Sequence, residues 1–365
     1  MLKFVKSQPV LVIAFIAAVV TMFFVPPDSG YADYINRTVL IELFALMIAV
    51  AGFRSVGIFD RASDIMLKKA GTARRITLVL VLLCFFSSML VTNDVALITF
   101  VPLSLMIFGA AKDERLRIRA IVLETAAANL GSMLTPVGNP QNLYIYDEYK
   151  LTAMDFVRTM LPSGIVSLAV LVLLTFIIPA EKCEAPAEKK TAFRAAPIIG
   201  YSVLFAACLL TVFRVLPDWA CLIAAVAAAL IFDYKLLLKA DYALLATFVC
   251  FFVFVGNISR IGAVNDFFRG ILDGNELVIS LLLSQVISNV PAAVMLAGFT
   301  DKGTELLLGV DIGGLGTIIA SLASLISFQF YRKTTTARAG LYLLTFTWIS
   351  LILLAPLLIL NLLIL

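Results

Sequence analysis

The chain has 365 residues, 62% hydrophobic and only 14% charged, with a mean hydropathy of +1.04 and a formal net charge of +4. So little charge cannot cover a soluble domain, and apolar runs of this length describe an all-α polytopic membrane protein rather than a barrel or a nucleic-acid binder. The lack of histidine excludes an imidazole proton relay or a His-ligated metal, and the five cysteines (Cys84, Cys183, Cys208, Cys221, Cys250), without CxxC spacing, read as small core residues.

In chain order, the apolar runs predict a first helix near Pro9–Val25 and a second near Val39–Phe53. Lys3, Lys6 and the later SGYA have the outline of a cleaved signal peptide. The internal symmetry described below instead requires a retained first helix. A basic loop runs from Arg54 to Arg75. Two apolar arms follow, Ile76–Val91 and Val95–Ala111, joined only by Thr92, Asn93 and Asp94. A segment after Arg119 breaks at GSMLTPVGNPQN, and the next helix lies near Phe156–Ile178. A polar linker, Glu181–Arg194, then divides the chain. Beyond it come helices near Ala196–Phe213, Trp219–Phe232 and Tyr242–Gly256, and an amphipathic connector, NISRIGAVNDFFRGIL. Two more arms joined at Ser288–Pro291, a helix interrupted at GVDIGGLGT and a last helix near Leu341–Leu363 complete the chain.

Most of the 28 Lys and Arg residues fall in alternate connections. If each pair of arms enters and leaves on one side, this bias puts the N-terminus in the cytoplasm and the C-terminus outside the plasma (inner) membrane. The short arms and polar tips favour re-entrant hairpins. The first hairpin then faces the cytoplasm and the second the outside. Two inverted-topology repeats result, each with a re-entrant hairpin and a broken transmembrane helix. Residues 1–180 form the first (hairpin 76–111, broken helix 120–146), and 181–217 hold the linker and inverting helix. Residues 218–365 form the second (hairpin 276–300, broken helix 305–331).

The two halves align at their polar islands: Thr92-Asn93 with Ser288-Asn289, Asn129-Leu130-Gly131 with Asp311-Ile312-Gly313, and Thr135 with Thr317. Helix ends at a hairpin tip carry unpaired N–H and C=O groups, and a Gly-rich break frees further carbonyls. Hydroxyls and Asn amides complete an oxygen cage suited to Na⁺, while helix N-termini face an anion. A carboxylate near the bilayer centre costs roughly 2.5–3.5 kcal/mol on insertion scales, which marks Asp94 and Asp311 as binders of a coupling cation or proton. Glu124 and Glu42 are weaker candidates. No nucleophile–base pair, metal cluster or phosphate loop points to an enzyme.

SMLVTNDVALITFVPL, ANLGSMLTPVGNPQNLYI, ISNVPAAVML and GVDIGGLGTIIASLASLIS together resemble the ion transporter superfamily. That group holds divalent-anion/sodium symporters, citrate transporters, arsenite permeases and NhaD-type sodium–proton antiporters, and TND and TPVGNPQN look most like its arsenite-permease and anion-permease branch. The resemblance implies a homodimer whose protomers each have a scaffold region and a transport region, with solute held between hairpin tips and broken helices and moved by an elevator-like shift. In the dicarboxylate symporters both tips carry Ser-Asn-Thr, which holds a substrate carboxylate and frames sodium. Thr92, Asn93 and Asp94 stand at the first triplet, and Ser288, Asn289 and Val290 at the second. Asp94 and Val290 depart from that pattern, and both disfavour a dicarboxylate held symmetrically.

The expected function is transport of a small carboxylate, oxyanion or arsenite-like metalloid solute coupled to Na⁺ or H⁺, with no other cofactor. Thr92, Asn93, Asn139, Pro140, Asn142, Ser288, Asn289 and Thr317 are assigned to the solute. Asp94, Asn129, Gly131, Thr135, Gly138, Asp311, Gly313, Gly314 and Gly316 are assigned to the coupling ion, with Na⁺ as the metal they would take. The alternatives are a sodium–proton antiporter and an uncoupled channel. The expected partners are the solute, the lipid bilayer and a second copy of the chain, and no nucleic acid.

Overall fold

The computed structural model of the protein describes residues 8–67, 70–110, 113–183 and 195–365. Lys3 and Lys6, Ala111 at the end of the expected second arm, and most of the linker Glu181–Arg194 lie outside the described residues. Among these residues the fold is helical, relieved by an isolated antiparallel bridge between Thr72 and Lys182. Helix α1 (Pro9–Met22) opens on a proline, whose missing N–H costs nothing in the first turn. In α2 (Arg37–Ser55) the Asn36 side chain accepts the Val39 N–H at 3.1 Å and caps the start. The segment expected as a basic loop contains a helix, α3 (Ile58–Leu67). Its Phe59 and Ala62 pack on the core while Asp60 and Arg61 face outwards, a helical period that the surrounding charge obscured.

The first pair of arms is α4 (Ala73–Val91) and α5 (Asn93–Ile107). The first broken helix is α6 (Glu114–Ser132) and α7 (Pro140–Glu148), followed by α8 (Ala153–Leu174). After the linker come α9 (Ala195–Val212), α10 (Asp218–Phe232) and α11 (Tyr242–Ser259). The amphipathic helix α12 (Gly262–Leu272) meets α13 (Glu276–Ile287) at a bend of 112°. Then follow α14 (Asn289–Ala297), the second broken helix α15 (Gly303–Ile312) and α16 (Leu322–Arg332), and α17 (Ala339–Ile364).

Among the described residues six helices, α2, α4, α8, α9, α11 and α17, are long and apolar enough to cross a membrane. The chain is therefore a polytopic α-helical membrane protein. The two pairs of arms differ in length. At about 1.5 Å per residue, α13 and α14 rise only ~18 and ~14 Å, about half of a ~30 Å hydrocarbon core. The 19 residues of α4 reach across by length alone.

Packing sorts the helices into two bodies drawn from both halves of the chain. α1 lies along α11, and α2 lies against α9 and α10. In the other body, α4 packs along α6, α13 along α15, α5 against α6 and α16, and α14 against α7. Small residues allow the closest approaches. A Cβ on Gly131 would overlap Phe85 and Ser88 of α4, and one on Gly313 would crowd Leu281 and Ser284 of α13. The bodies meet chiefly where α7 touches α2 and α14 touches α11.

Candidate functional site

Each pair of arms breaks at one residue. Thr92 has φ 67° and ψ 150°, and Ser288 has φ 79° and ψ 154°. An L-residue rarely holds this backbone region, so both tips are strained in the same way. The breaks are narrower than expected: Asn93 and Asp94, and Asn289 to Pro291, already belong to the first turn of the next helix. The two asparagines act alike. Asn93 Oδ1 accepts the N–H of Asp94 at 3.0 Å, and Asn289 Oδ1 accepts that of Val290 at 2.9 Å.

The breaks dock on the tips by matching contacts. The Thr135 hydroxyl donates to the Met89 carbonyl, and the Thr317 hydroxyl to the Gln285 carbonyl at 3.0 Å. Both carbonyls stand at the same distance before their tip residue. The Gln285 side chain adds a bond to Gly313 O at 2.7 Å and one from Thr317 N at 2.9 Å. Gly316 has φ +105° and lies so close to Gln285 that a Cβ would collide with it.

The halves also cross over. Asn129, ahead of the first break, accepts from Asn93 Nδ2 at 3.0 Å and from the Ser321 hydroxyl at 2.9 Å, and donates to Ser324 Oγ at 3.1 Å. Asp311, ahead of the second break, has the reciprocal partners. Its Oδ1 accepts from Asn139 Nδ2 at 3.3 Å and from Gln141 Nε2 at 3.0 Å. Asn139 also caps α7, accepting the Asn142 N–H at 2.9 Å, and Pro140 fills the first helical position. Asn142 Nδ2 reaches the carbonyls of Ser132, Met133 and Thr135 at 3.1–3.3 Å. Asp311 Oδ2 and Asn142 Oδ1, both at this crossing, are among the buried oxygens of the described residues that have no hydrogen bond.

The expected residues thus divide. Thr92, Asp94, Asn139 and Pro140 line a cavity of about 580 Å³ together with Arg54, Lys239 and Asp241, and with Leu43, Val50, Ile98 and Leu143 among its apolar residues. Asn93, Asn129, Asn142, Ser288, Asn289 and Asp311 are buried behind it. Thr317 is exposed, and Gly131, Gly138 and Gly314 lie in close packing against neighbouring atoms. Asp94 and Asp311 share no hydrogen-bond partner, although Asn139 touches Asp311 and also lines the cavity beside Asp94. A second cavity of about 320 Å³ lies at the opposite end of α7 and is lined by Asp33, Asn36, Tyr144 and Glu148. Tyr144 rests there on Phe252 and Phe248, with ring centroids 5.7 and 6.4 Å away.

Gln141, Gln285, Ser321 and Ser324 were not assigned from sequence. Gln141 and Gln285 lie within three residues of assigned polar residues, and an amide in an apolar run was the signal that could have found them, whereas the hydroxyls of Ser321 and Ser324 carry no such mark.

The profile of a family described as citrate transporter (CitMHS) matches residues 4–301, which ends ahead of α15. An uncharacterized transporter of Methanocaldococcus jannaschii is 36% identical over 312 residues, 84% of this chain and 83% of that protein. The inner membrane protein YbiR of Escherichia coli is 29% identical over 84% of this chain and 83% of its own length. A silicon efflux transporter of rice, LSI3, is 28% identical over 44% of this chain and 33% of its own. With its polytopic fold and a profile match over most of its length, the chain belongs to the citrate transporter family and is a membrane transporter.

Proposed function

We propose that the protein is a secondary active transporter of a small anion or an oxyanion or metalloid species, coupled to Na⁺ or H⁺ and working by an elevator-type shift. The observation that carries this reading is the reciprocal crossing, Asn129 to Ser321 and Ser324, and Asp311 to Asn139 and Gln141. Two broken helices joined this way are the pattern of an inverted repeat around a shared site. The division into two bodies supports a scaffold and a moving part, and a homodimer through the scaffold belongs to the same reading. The basic connections put the mouth with Arg54 and Lys239 on the cytoplasmic side.

The cavity supports a solute of little net charge. Arg54 and Lys239 are balanced there by Asp94 and Asp241, and Thr92 and Asn139 add a hydroxyl and an amide to the lining. A polyanion would need an excess of cationic donors, whereas a neutral hydroxylated metalloid acid needs hydroxyl and amide partners. The rice relative, named for silicon, agrees with that end of the range. For the ion, Asp311 Oδ2 and Asn142 Oδ1 are oxygens in need of a partner, as a bound cation would supply.

The test is uptake into proteoliposomes of labelled citrate, arsenite and silicic acid, under a Na⁺ gradient, a pH gradient or neither. Accumulation of one solute under one gradient, lost in Asp311→Asn, is the expected result. No accumulation under any gradient overturns the reading, and Na⁺/H⁺ exchange with no solute present makes the protein an antiporter instead.

A further inference from the structure

One buried carboxyl plays no part in this site. Glu124 lies in α6, and its side chain is 0% exposed. Its Oε1 accepts the hydroxyl of Ser104 from α5, and its Oε2 has no hydrogen bond among the described residues. Cys84 of α4 and Tyr342 of α17 lie within its electrostatic reach. Thr125 is its neighbour on α6, with its hydroxyl donated to the Ile121 carbonyl at 2.7 Å. Tyr331 of α16 stands one ring further off. From α8 and α15, which also flank α6, no charged group acts on Glu124 among the described residues. On the same helix Arg119 donates to Ile177 O at 3.3 Å, and Arg117 is engaged by Phe108 O, Gly109 O, Thr336 and Glu114.

A carboxylate buried with no cation beside it carries a desolvation cost of several kcal/mol, and one hydroxyl does not offset it. The neutral acid is the form this pocket accommodates. Sodium is a poor fit, because Ser104 and Thr125 are too few oxygens to replace its hydration and the Thr125 hydroxyl is already engaged.

Tyr342 lies within electrostatic reach of Glu124, with the Thr125 hydroxyl beside its own. Its ring stacks on that of Tyr331, with centroids 4.9 Å apart. The Tyr331 hydroxyl donates to Glu114 Oε1 at 2.7 Å and accepts the N–H of Arg338 at 2.8 Å. Glu114 opens α6 in the same connection as Arg115, Arg117 and Arg119, and its Oε2 accepts from Thr336 at 3.0 Å.

We propose that Glu124 is a proton-binding site, separate from the oxygens at Asp311. This rests on the coupled-transport reading and identifies a group that carries H⁺. Helix α5 links it to the solute site, because one helix supplies both Ser104 to Glu124 and Asn93 to Asn129. Loss of the proton leaves a carboxylate that pulls harder on Ser104, and the tip at Asn93 lies at the other end of that same helix.

The test is infrared difference spectroscopy of the purified full chain in lipid vesicles during a pH titration, which needs no solute. The wild type is expected to show the carbonyl stretch of a protonated carboxyl that fades as pH rises, and Glu124→Gln is expected to lack it. A band that titrates unchanged in Glu124→Gln overturns the assignment. Should that variant fail to fold, Ser104→Ala removes the one hydrogen bond at Oε1 and must move the midpoint, and an unmoved midpoint is equally fatal. Failure of every solute in the uptake assay would defeat the transport reading, while the infrared band still decides whether Glu124 binds a proton.

Discussion

Two helix tips with the same backbone end in different chemistry. Thr92 and Ser288 share one strained conformation, and the asparagines after them share one hydrogen bond. The third residue differs. Asp94 is half-buried on the wall of a cavity, whereas Val290 is buried and packed within the core. The first tip is therefore reached from a cavity while the second is sealed against its break, with Asn289 N–H on the Ala320 carbonyl at 2.9 Å. A duplicated scaffold can keep its turn geometry and still divide tasks, because the backbone fixes where helix ends meet and the side chain decides what they bind.

Exchange of the third residues should give the largest effect. Val290→Asp buries a carboxylate without a partner and is expected to destabilise by roughly 3 kcal/mol or more. Asp94→Val, open to the cavity, is expected to change stability by less than about 1 kcal/mol while altering solute or ion dependence. Thermal unfolding in detergent compares them, and equal losses would mean that the tips are alike after all.

Next come the residues at the crossing. Asn129→Ala strands Asn93 and the hydroxyls of Ser321 and Ser324, at roughly 1–3 kcal/mol for each buried group left unpaired. Asp311→Asn keeps its size, so its mark is expected to be different: loss of the rise in melting temperature that added Na⁺ gives the wild type. An identical response to Na⁺ in both proteins would remove Asp311 from the ion site.

Strain relief should be smaller. Thr92→Gly is expected to stabilise by about 1 kcal/mol, the strain offset in part by glycine's freedom in the unfolded chain. Ser288→Gly should gain less, because it also loses the hydroxyl bond to Ala320 O at 3.3 Å. Chemical or thermal unfolding of the pair checks the order, and a loss of stability in both would show that the turn is unstrained.

The smallest effect belongs to a contact away from both tips. Arg260 donates to Asp28 at 2.7 Å and holds its carboxyl below the usual carboxylate range. A depressed value in the fold means that the contribution is present above the ordinary carboxylate range and fades as pH falls through the lowered value. Asp28→Asn should flatten that part of the stability–pH curve slightly, and less so in high salt.

Much of this was legible in order along the chain. Each break stood out as a polar residue in an apolar run, and the alignment of Thr135 with Thr317 anticipated two hydroxyls that each grip a carbonyl before a tip. Helix α3 was hidden because Arg54 to Arg75 reads first as charge and only second as period. Gln141 was passed over beside Asn139 and Asn142, though it makes the shorter of the two bonds to Asp311 Oδ1. The partners Ser321 and Ser324 carry no local mark that points to Asn129, since hydroxyls are common in membrane helices and their targets lie far away in the chain.

By itself, then, the order of residues determined that this is a polytopic helical protein, where its helices break and which polar residues sit at the breaks. The reason is energetic: a polar group or helix break within a hydrocarbon core is costly enough to be visible residue by residue. Only the tertiary structure decided that Asn129 reaches across to the second break and Asp311 to the first, that Asp94 faces a cavity while Val290 does not, and that Glu124 meets Ser104. Those pairings depend on packing between distant helices, where small residues such as Gly131 and Gly313 set the approach, and packing has no period to read.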